Sequence, residues 1–393
     1  MKNLETLIQE LCPDGVEFVK LGEVCEIKTG KGITNKDCSD SDIYPVYSGG
    51  KEPMGYYKDF NRNENTITVS RVGAYAGFVN YVVEKFYLND KCFSVIPTAG
   101  NTINTKFLYY KLKSIESNII NLQSGGGVPT INTKKVGSIE IPLPPIEVQT
   151  EIVRILDKFT SLEAELEAEL DCRKRQYEYY RDKLLSFDNV GGQDVEWKKM
   201  SEVGTFIRGN GLQKKDFTEA GVGCIHYGQL YTHYGTSATK TITYCSPELA
   251  TKLRKASKGD VVIATTSENV EDVCKAVAWL GDNDVAVSGD AFIYKHNQNP
   301  KYMAYLFQTL DFFNYKKKKA TGTKVIRLSG DAMGNYLAPI PPLAEQERIV
   351  SILDRFESLT TSLTAGLPAE IAARRQQYEH YRDKLLTFKR KSA

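Results

Sequence analysis

One long segment of the chain occurs twice. From Pro142 it reads PLPPIEVQTEIVRILDKFTSL and from Pro339 it reads PIPPLAEQERIVSILDRFESL. Pro144, Pro145, Gln149, Ile152, Val153, Asp157 and Phe159 return as Pro341, Pro342, Gln346, Ile349, Val350, Asp354 and Phe356. Both copies close alike, RKRQYEYYRDKLLSF from Arg173 to Phe187 and RRQQYEHYRDKLLTF from Arg374 to Phe388. A duplication over this distance predicts two equivalent units, each a globular segment followed by a helical one, arranged with near two-fold symmetry. A ligand for such an object comes in two halves.

At 393 residues the chain has room for two or three domains with their own cores. Its eight cysteines are scattered with no CxxC pair, as expected of reduced thiols in the cytoplasm. The start, MKNLETLIQELC, is too polar for a signal segment, and no stretch has the length and apolarity to span a bilayer, so no membrane role is expected. The net charge of +2 decides little, because local basic surface governs nucleic-acid binding. Glu163, Glu165, Glu167 and Glu169 offset Lys28, Lys31, Lys36 and the run Lys316 to Lys319, any of which also reads as a solvated charge cluster.

The repeat continues faintly into the globular segments. Val16, Glu17 and Phe18 match Val195, Glu196 and Trp197, while Gly30, Gly32, Lys36 and Asp37 match Gly209, Gly211, Lys215 and Asp216. Helical spacing is present at Leu108, Leu112, Ile115 and Ile119 and again at Met303, Leu306, Leu310 and Phe313. Strand signals lie at 66–70, 77–83, 261–265 and 291–294. Proline-marked linkers then lead into apolar periodicity. The implied division is an N-terminal helical segment 1–14, globular domains 15–140 and 191–337, and helical regions 141–190 and 338–393.

Each helical region carries one apolar stripe: Phe159, Leu162, Leu166, Leu170 and Tyr177 in the first, and Phe356, Leu359, Leu363, Leu367, Ile371 and Tyr378 in the second. About forty helical residues span roughly 60 Å, more than a small core needs, which predicts an antiparallel coiled coil of the two helices. The LETLIQEL segment is expected near the end of the second helix. The offset between the copies grows by four residues, a stutter, and Gly366 with Pro368 predicts a kink. The fold class is α+β, with two mixed α/β domains separated by two long helices in a pseudo-two-fold arrangement.

Catalytic signatures are missing: no GxxxxGK[ST], HExxH or GxSxG occurs, and the four histidines, His226, His233, His296 and His380, form no metal-ligand spacing. Pro13-Asp14 followed by Glu26-Ile27-Lys28 resembles a PD…ExK nuclease pattern, but the second copy lacks it. What recurs is a set of polar, aromatic and glycine-rich loops, residue types that read base edges and hold phosphates. The candidate DNA-binding residues are Lys28, Lys31, Lys36, Tyr47, Ser48, Gly49, Arg71 and Tyr75 in the first domain. In the second they are Arg208, Lys214, Lys215, His226, Tyr227, Gln229, Thr265, Thr266, Ser267, Lys317, Lys318, Lys319, Lys324 and Arg327, with Lys316 included in the basic run.

The PLPPIEVQ and PIPPLAEQ linkers, the LEAELEAEL quartets and the paired QYEYYRDKLLSF and QYEHYRDKLLTF endings resemble the specificity subunits of type I restriction-modification systems, the type IC branch in particular. The resemblance implies a non-catalytic chain that reads a bipartite, asymmetric site on double-stranded DNA. It also implies that the chain docks two modification (methyltransferase) subunits, with restriction (translocase and nuclease) subunits joining them. S-adenosylmethionine, ATP and Mg²⁺ then belong to those partners and none to this chain, and adenine methylation follows the half-sites selected here. A coiled-coil scaffold for protein partners and a nuclease are the competing readings.

Overall fold

In the computed structural model residues 4–100, 102–124, 127–187, 195–361 and 366–392 are described. The chain forms two compact units, one made of Met1–Glu167 with Glu370–Ala393 and the other of Ala168–Ala369. Each unit thus combines a globular part with pieces of both helical regions, a division that follows contacts rather than chain order.

In the first unit the central sheet has four antiparallel strands in the order Cys25–Thr29, Cys92–Pro97, Thr66–Ser70, Val79–Val82. Thr66–Ser70 lies inside the sheet and is buried at every position, although its sequence TITVS alternates hydroxyl and aliphatic side chains. A smaller sheet sets Tyr44–Tyr47 between Tyr56–Tyr57 and Tyr87–Leu88, the latter pairing parallel. The helix Thr105–Ser114 starts at Asn104, whose side chain accepts from Lys106 N and Phe107 N. Glu17–Lys20 pairs with Glu140–Leu143, which leads through Pro144 and Pro145 into the helix Ile146–Ser186.

The second unit repeats this plan with additions. Its five-stranded sheet runs Gly204–Arg208, Ala291–His296, Val261–Ala264, Ala276–Trp279, Ser237–Ala238, the first four strands answering the order seen in the first unit. The smaller sheet again holds a parallel pair, Val222–Ile225 with Val285–Val287. Glu196–Lys199 pairs with Leu337–Ile340 before the prolines and the helix Leu343–Thr361. The predicted helical stripe through Leu310 is broken, because Thr309 caps a new helix, Leu310–Lys319, by accepting from Phe312 N. Leu310 is therefore exposed, as the first residue of that helix.

Each unit fastens its globular part to its helix in the same way. Gln149 and Gln346 have no solvent exposure. Gln149 accepts from Asn104 N and donates to Pro144 O and Thr102 O; Gln346 accepts from Asn299 N and donates to Pro341 O and Gln298 Oε1. Tyr110 and Lys106 meet Asp157, as Tyr305 and Lys301 meet Asp354. These bonds give the repeated Pro-Pro, Gln and Asp positions a structural reason.

The helices pair antiparallel within each unit. In the first, Phe159 stacks on Tyr381 at 5.5 Å while Glu163 and Glu167, farther along, meet Arg375, which lies earlier in its own helix. In the second, Tyr180 stacks on Phe356 at 5.7 Å and Leu185 joins a core with Ile349, Val350 and Leu353. The helix Leu4–Leu11 brings Leu4 into a core with Val148, Ile152, Leu156 and Leu386, and Val16 exchanges backbone hydrogen bonds with Lys389 and Lys391. The N-terminal segment therefore lies against the end of the second helical region, as its place in the repeat predicts.

The apolar stripes do not all form a buried seam. Leu367 and Ile371 are buried, and Phe159, Leu166, Leu170, Tyr177, Phe356 and Tyr378 are half-buried, but Leu162 is 46% exposed and Leu359 37%, which corrects their assignment to a closed seam. Leu363 lies outside the described residues. The second region is two helices, Leu343–Thr361 and Leu367–Leu385, rather than one kinked helix. Gly366 has φ +89°, a left-handed conformation suited to glycine, and Pro368 sits in the first turn, where its missing N–H costs no helical bond.

Candidate nucleic-acid interface

In the first unit the backbone draws five segments together beside the end of the central sheet. Gly30 N donates to Cys92 O and Lys31 N to Leu88 O; Asn89 N donates to Tyr47 O, and the Cys92 thiol to Ser48 O at 2.7 Å. Arg71 N donates to Lys91 O, Ile131 N to Arg71 O, and Gly73 N to Pro129 O. A Cβ on Gly30 would lie 2.2 Å from Leu88 O and one on Gly49 2.5 Å from Val72 O, so these close approaches require glycine. Lys31, Ser48, Gly49 and Arg71 are thereby brought together.

Tyr75 is 47% exposed and Lys51 Nζ stands 5.4 Å from its ring, adding a cation to the group. Tyr47 is half-buried, edge-on to Phe86, and burial raises its pKa. Lys28 instead pairs on its own strand with Glu26 at 2.6 Å, and Lys36 is exposed on the turn Asn35–Asp37. The PD…ExK-like carboxylate of Glu26 is thus matched by a neighbouring lysine. Among the described residues no group of three His, Cys, Asp or Glu side chains could hold a metal ion.

The second unit builds the corresponding cluster around Ser288–Asp290. Gly209 N donates to Ala291 O and Asn210 N to Val287 O, the counterparts of the Gly30 and Lys31 bonds. A Cβ on Gly209 would lie 2.3 Å from Ser288 O. Arg208 Nε donates to Gly289 O at 2.7 Å, and Tyr227 N to Ser288 Oγ at 2.9 Å. Thr266–Ser267 pairs with Ile326–Arg327, bringing exposed Arg327 beside the loop. Lys214 and Lys215 are exposed on the turn Lys214–Asp216, as are Lys317, Lys318, Lys319 and Lys324 on the surface.

Several candidates turn inward, which corrects their assignment as direct readers. Gln229 is buried, accepting from His226 N and donating to Thr243 Oγ1 to close the start of the helix Tyr227–Thr232. His226 is buried and accepts from Gly228 N; burial, then the Lys214 charge, lowers its pKa. Thr265 and Thr266 are buried with their hydroxyls on Asp290. Lys316 is only 4% exposed and its ammonium donates to Glu271 O and Val273 O, both at 2.7 Å, so it holds two carbonyls of the fold and no phosphate.

Lys51 and Lys91 were missed by sequence reasoning because only tertiary contact brings them to Arg71 and Tyr75. The signal available was positional: Asn89-Asp90-Lys91 and Ser288-Gly289-Asp290 are the turns that receive the two matched glycines.

A family described as type I restriction modification DNA specificity domain matches residues 13–171 and 192–373. A type I restriction enzyme specificity subunit from Escherichia coli is 30% identical over 99% of this chain and 97% of its own length. A relative from Haemophilus influenzae with a corresponding name is 31% identical over 99% of this chain and 100% of its own length. In fold, the chain is similar to the crystal structure of a type I restriction-modification S subunit from M. genitalium, with a TM-score of 0.57, 17% identity, and coverage of 95% of this chain and 96% of that one.

Proposed function

Since the chain belongs to the type I restriction-modification DNA specificity family, we propose that it is the DNA-recognition subunit of such a system. It reads a bipartite, asymmetric site on double-stranded DNA, one half-site per unit. The observation that carries this reading is the pair of loop clusters, built on equivalent backbone bonds around Gly30 and Gly209 yet furnished with different side chains. Equivalent frames place both clusters at the same end of equivalent sheets, and unlike side chains give unlike half-sites.

The work of this chain is binding. Exposed lysines beside each cluster neutralise phosphates and release counterions, while side chains in the loops discriminate base edges. Adenine methylation is carried out by two modification subunits that this chain positions, with S-adenosylmethionine held there, and cleavage by restriction subunits that hold ATP and Mg²⁺. Mapping methylated adenines in cells that express this chain with its modification partner tests the proposal. A two-part motif with a fixed spacer is the expected result, and methylation without a two-part motif refutes it. A protein-only scaffold is separated by salt: DNA affinity must fall steeply with ionic strength.

A further inference from the structure

We propose that Arg71 reads a guanine in the half-site of its own unit, an inference that rests on the DNA-recognition role above. The first globular segment, to residue 140, contains two arginines, Arg62 and Arg71. Arg62 is consumed by the fold. Its Nε donates to Ser94 Oγ at 2.7 Å, one terminal nitrogen to Asn61 O at 2.8 Å, and the other to Lys28 O at 3.3 Å and Thr29 O at 3.1 Å. All three nitrogens are engaged, and four of the five N–H donors go to the fold.

Arg71 is the opposite case. Its backbone is clamped on both sides, donating to Lys91 O at 2.9 Å and accepting from Ile131 N at 2.8 Å. Among the described residues its guanidinium makes a single hydrogen bond, from one terminal nitrogen to Asp90 O at 3.2 Å, and its buried Nε has no partner. A guanidinium carries five N–H donors and stays charged, so with one bond to Asp90 O fixing its plane the terminal nitrogens at the surface still have N–H groups to offer an acceptor that displaces water. The neighbours fit that acceptor being a nucleic acid: exposed Lys91 is adjacent, and Lys51 stands over exposed Tyr75 in the same loop group.

Among base edges in the major groove, guanine alone offers two adjacent acceptors, O6 and N7, spaced for the arginine fork; adenine and cytosine place a donor there. A side chain held by its backbone and by Asp90 before DNA arrives also loses little freedom on binding. Lysine is the weaker substitute, since its ammonium can donate to O6 and N7 but lacks the rigid planar fork that fixes orientation.

The test uses the full chain assembled with its modification partner, comparing wild type, Arg71→Ala and Arg71→Lys. Methylated motifs are mapped, and anisotropy is measured on duplexes carrying each base at each position. A guanine in one half-site is expected, with discrimination at that position falling about 10- to 100-fold in Arg71→Ala and less in Arg71→Lys, and the other half-site unchanged. Unaltered discrimination overturns the proposal. So does a loss that is uniform across sequences and restored by Arg71→Lys, which marks a phosphate contact. If Arg71→Ala fails to fold, Arg71→Met, which keeps an unbranched side chain without donors, decides in its place. A wild-type complex without a two-part motif overturns the recognition role itself, whereas a two-part motif indifferent to Arg71 overturns only this inference.

Discussion

Replacing Gln346 by methionine tests what the repeated proline-proline-glutamine segment is for. The side chain is fully buried and makes three hydrogen bonds, with Asn299 N at 3.0 Å, Pro341 O at 2.8 Å and Gln298 Oε1 at 2.7 Å. Methionine is close in volume and adaptable in shape, so packing is largely kept while all three bonds vanish. Gln298 is half-buried and can turn to water, but Asn299 N and Pro341 O lose the partner that links the start of one helix to the start of another. At about 1–3 kcal/mol for each buried group left unsatisfied, the loss is about 3 kcal/mol.

Both tryptophans, Trp197 and Trp279, lie in the unit that contains Gln346, and Trp279 is 2% exposed, so tryptophan fluorescence reports unfolding of that unit. With a urea dependence of about 2 kcal/mol per molar, the midpoint falls by about 1.5 M. Gln346→Glu refines the result. A carboxylate still accepts from Asn299 N but offers Pro341 O no proton, so this variant is destabilised at neutral pH and recovers as acid protonates it. A Gln346→Met midpoint within about 0.2 M of wild type refutes the claim that this glutamine fastens sheet to helix.

Burial lowers the His296 pKa from 6.5 to about 4; the unfolded chain therefore binds a proton that the folded one refuses, so stability is complete above pH 6.5 and declines as pH falls towards 4. His296→Gln is expected to flatten that slope in urea titrations across this window, and an unchanged slope refutes the assignment. Lys316→Met is expected to cost about 1–3 kcal/mol by orphaning two carbonyls while leaving the salt dependence of DNA binding unchanged. Lys318→Ala should do the reverse if it meets a phosphate, reducing the salt slope by about one unit. Deleting Glu163 to Leu166 shortens the helix by about 6 Å and is expected to change the spacer between half-sites with both half-sites intact; an unaltered spacer in a folded, methylating variant refutes this.

How much of this was legible in the sequence depends on which force fixed each residue. Several positions that matched between the copies are ones that local geometry demands. Gly30 and Gly209 match because a neighbouring backbone leaves no room for a Cβ. Asp37 and Asp216 match because each caps its own short turn, accepting from Thr34 N and Gln213 N, as Glu23 and Glu202 do for Lys20 N and Lys199 N. Gln149 and Gln346 match because each ties a helix start to a proline carbonyl. Such constraints act over a few residues or one fixed contact, so they leave a pattern that comparison of the copies recovers.

The binding surface leaves no such pattern, because polarity alone does not say which way a side chain points. Lys316 illustrates the ambiguity and how periodicity resolves it. It stands four residues after Phe312, on the same face of the helix Leu310–Lys319, and Phe312 is buried. One lysine of the four is therefore carried under the surface, where it bonds Glu271 O and Val273 O, while Lys317, Lys318 and Lys319 remain outside. The same distinction separates Arg62 from Arg71, which no local spacing could do: the partners of Arg62 include Lys28, 34 residues before it, and Ser94, 32 residues after it. In this duplicated chain the buried and backbone-clamped positions that agree between the copies are thus those held by the frame. The readers have to be sought among positions that disagree, by asking which polar groups the folded chain has left without a partner.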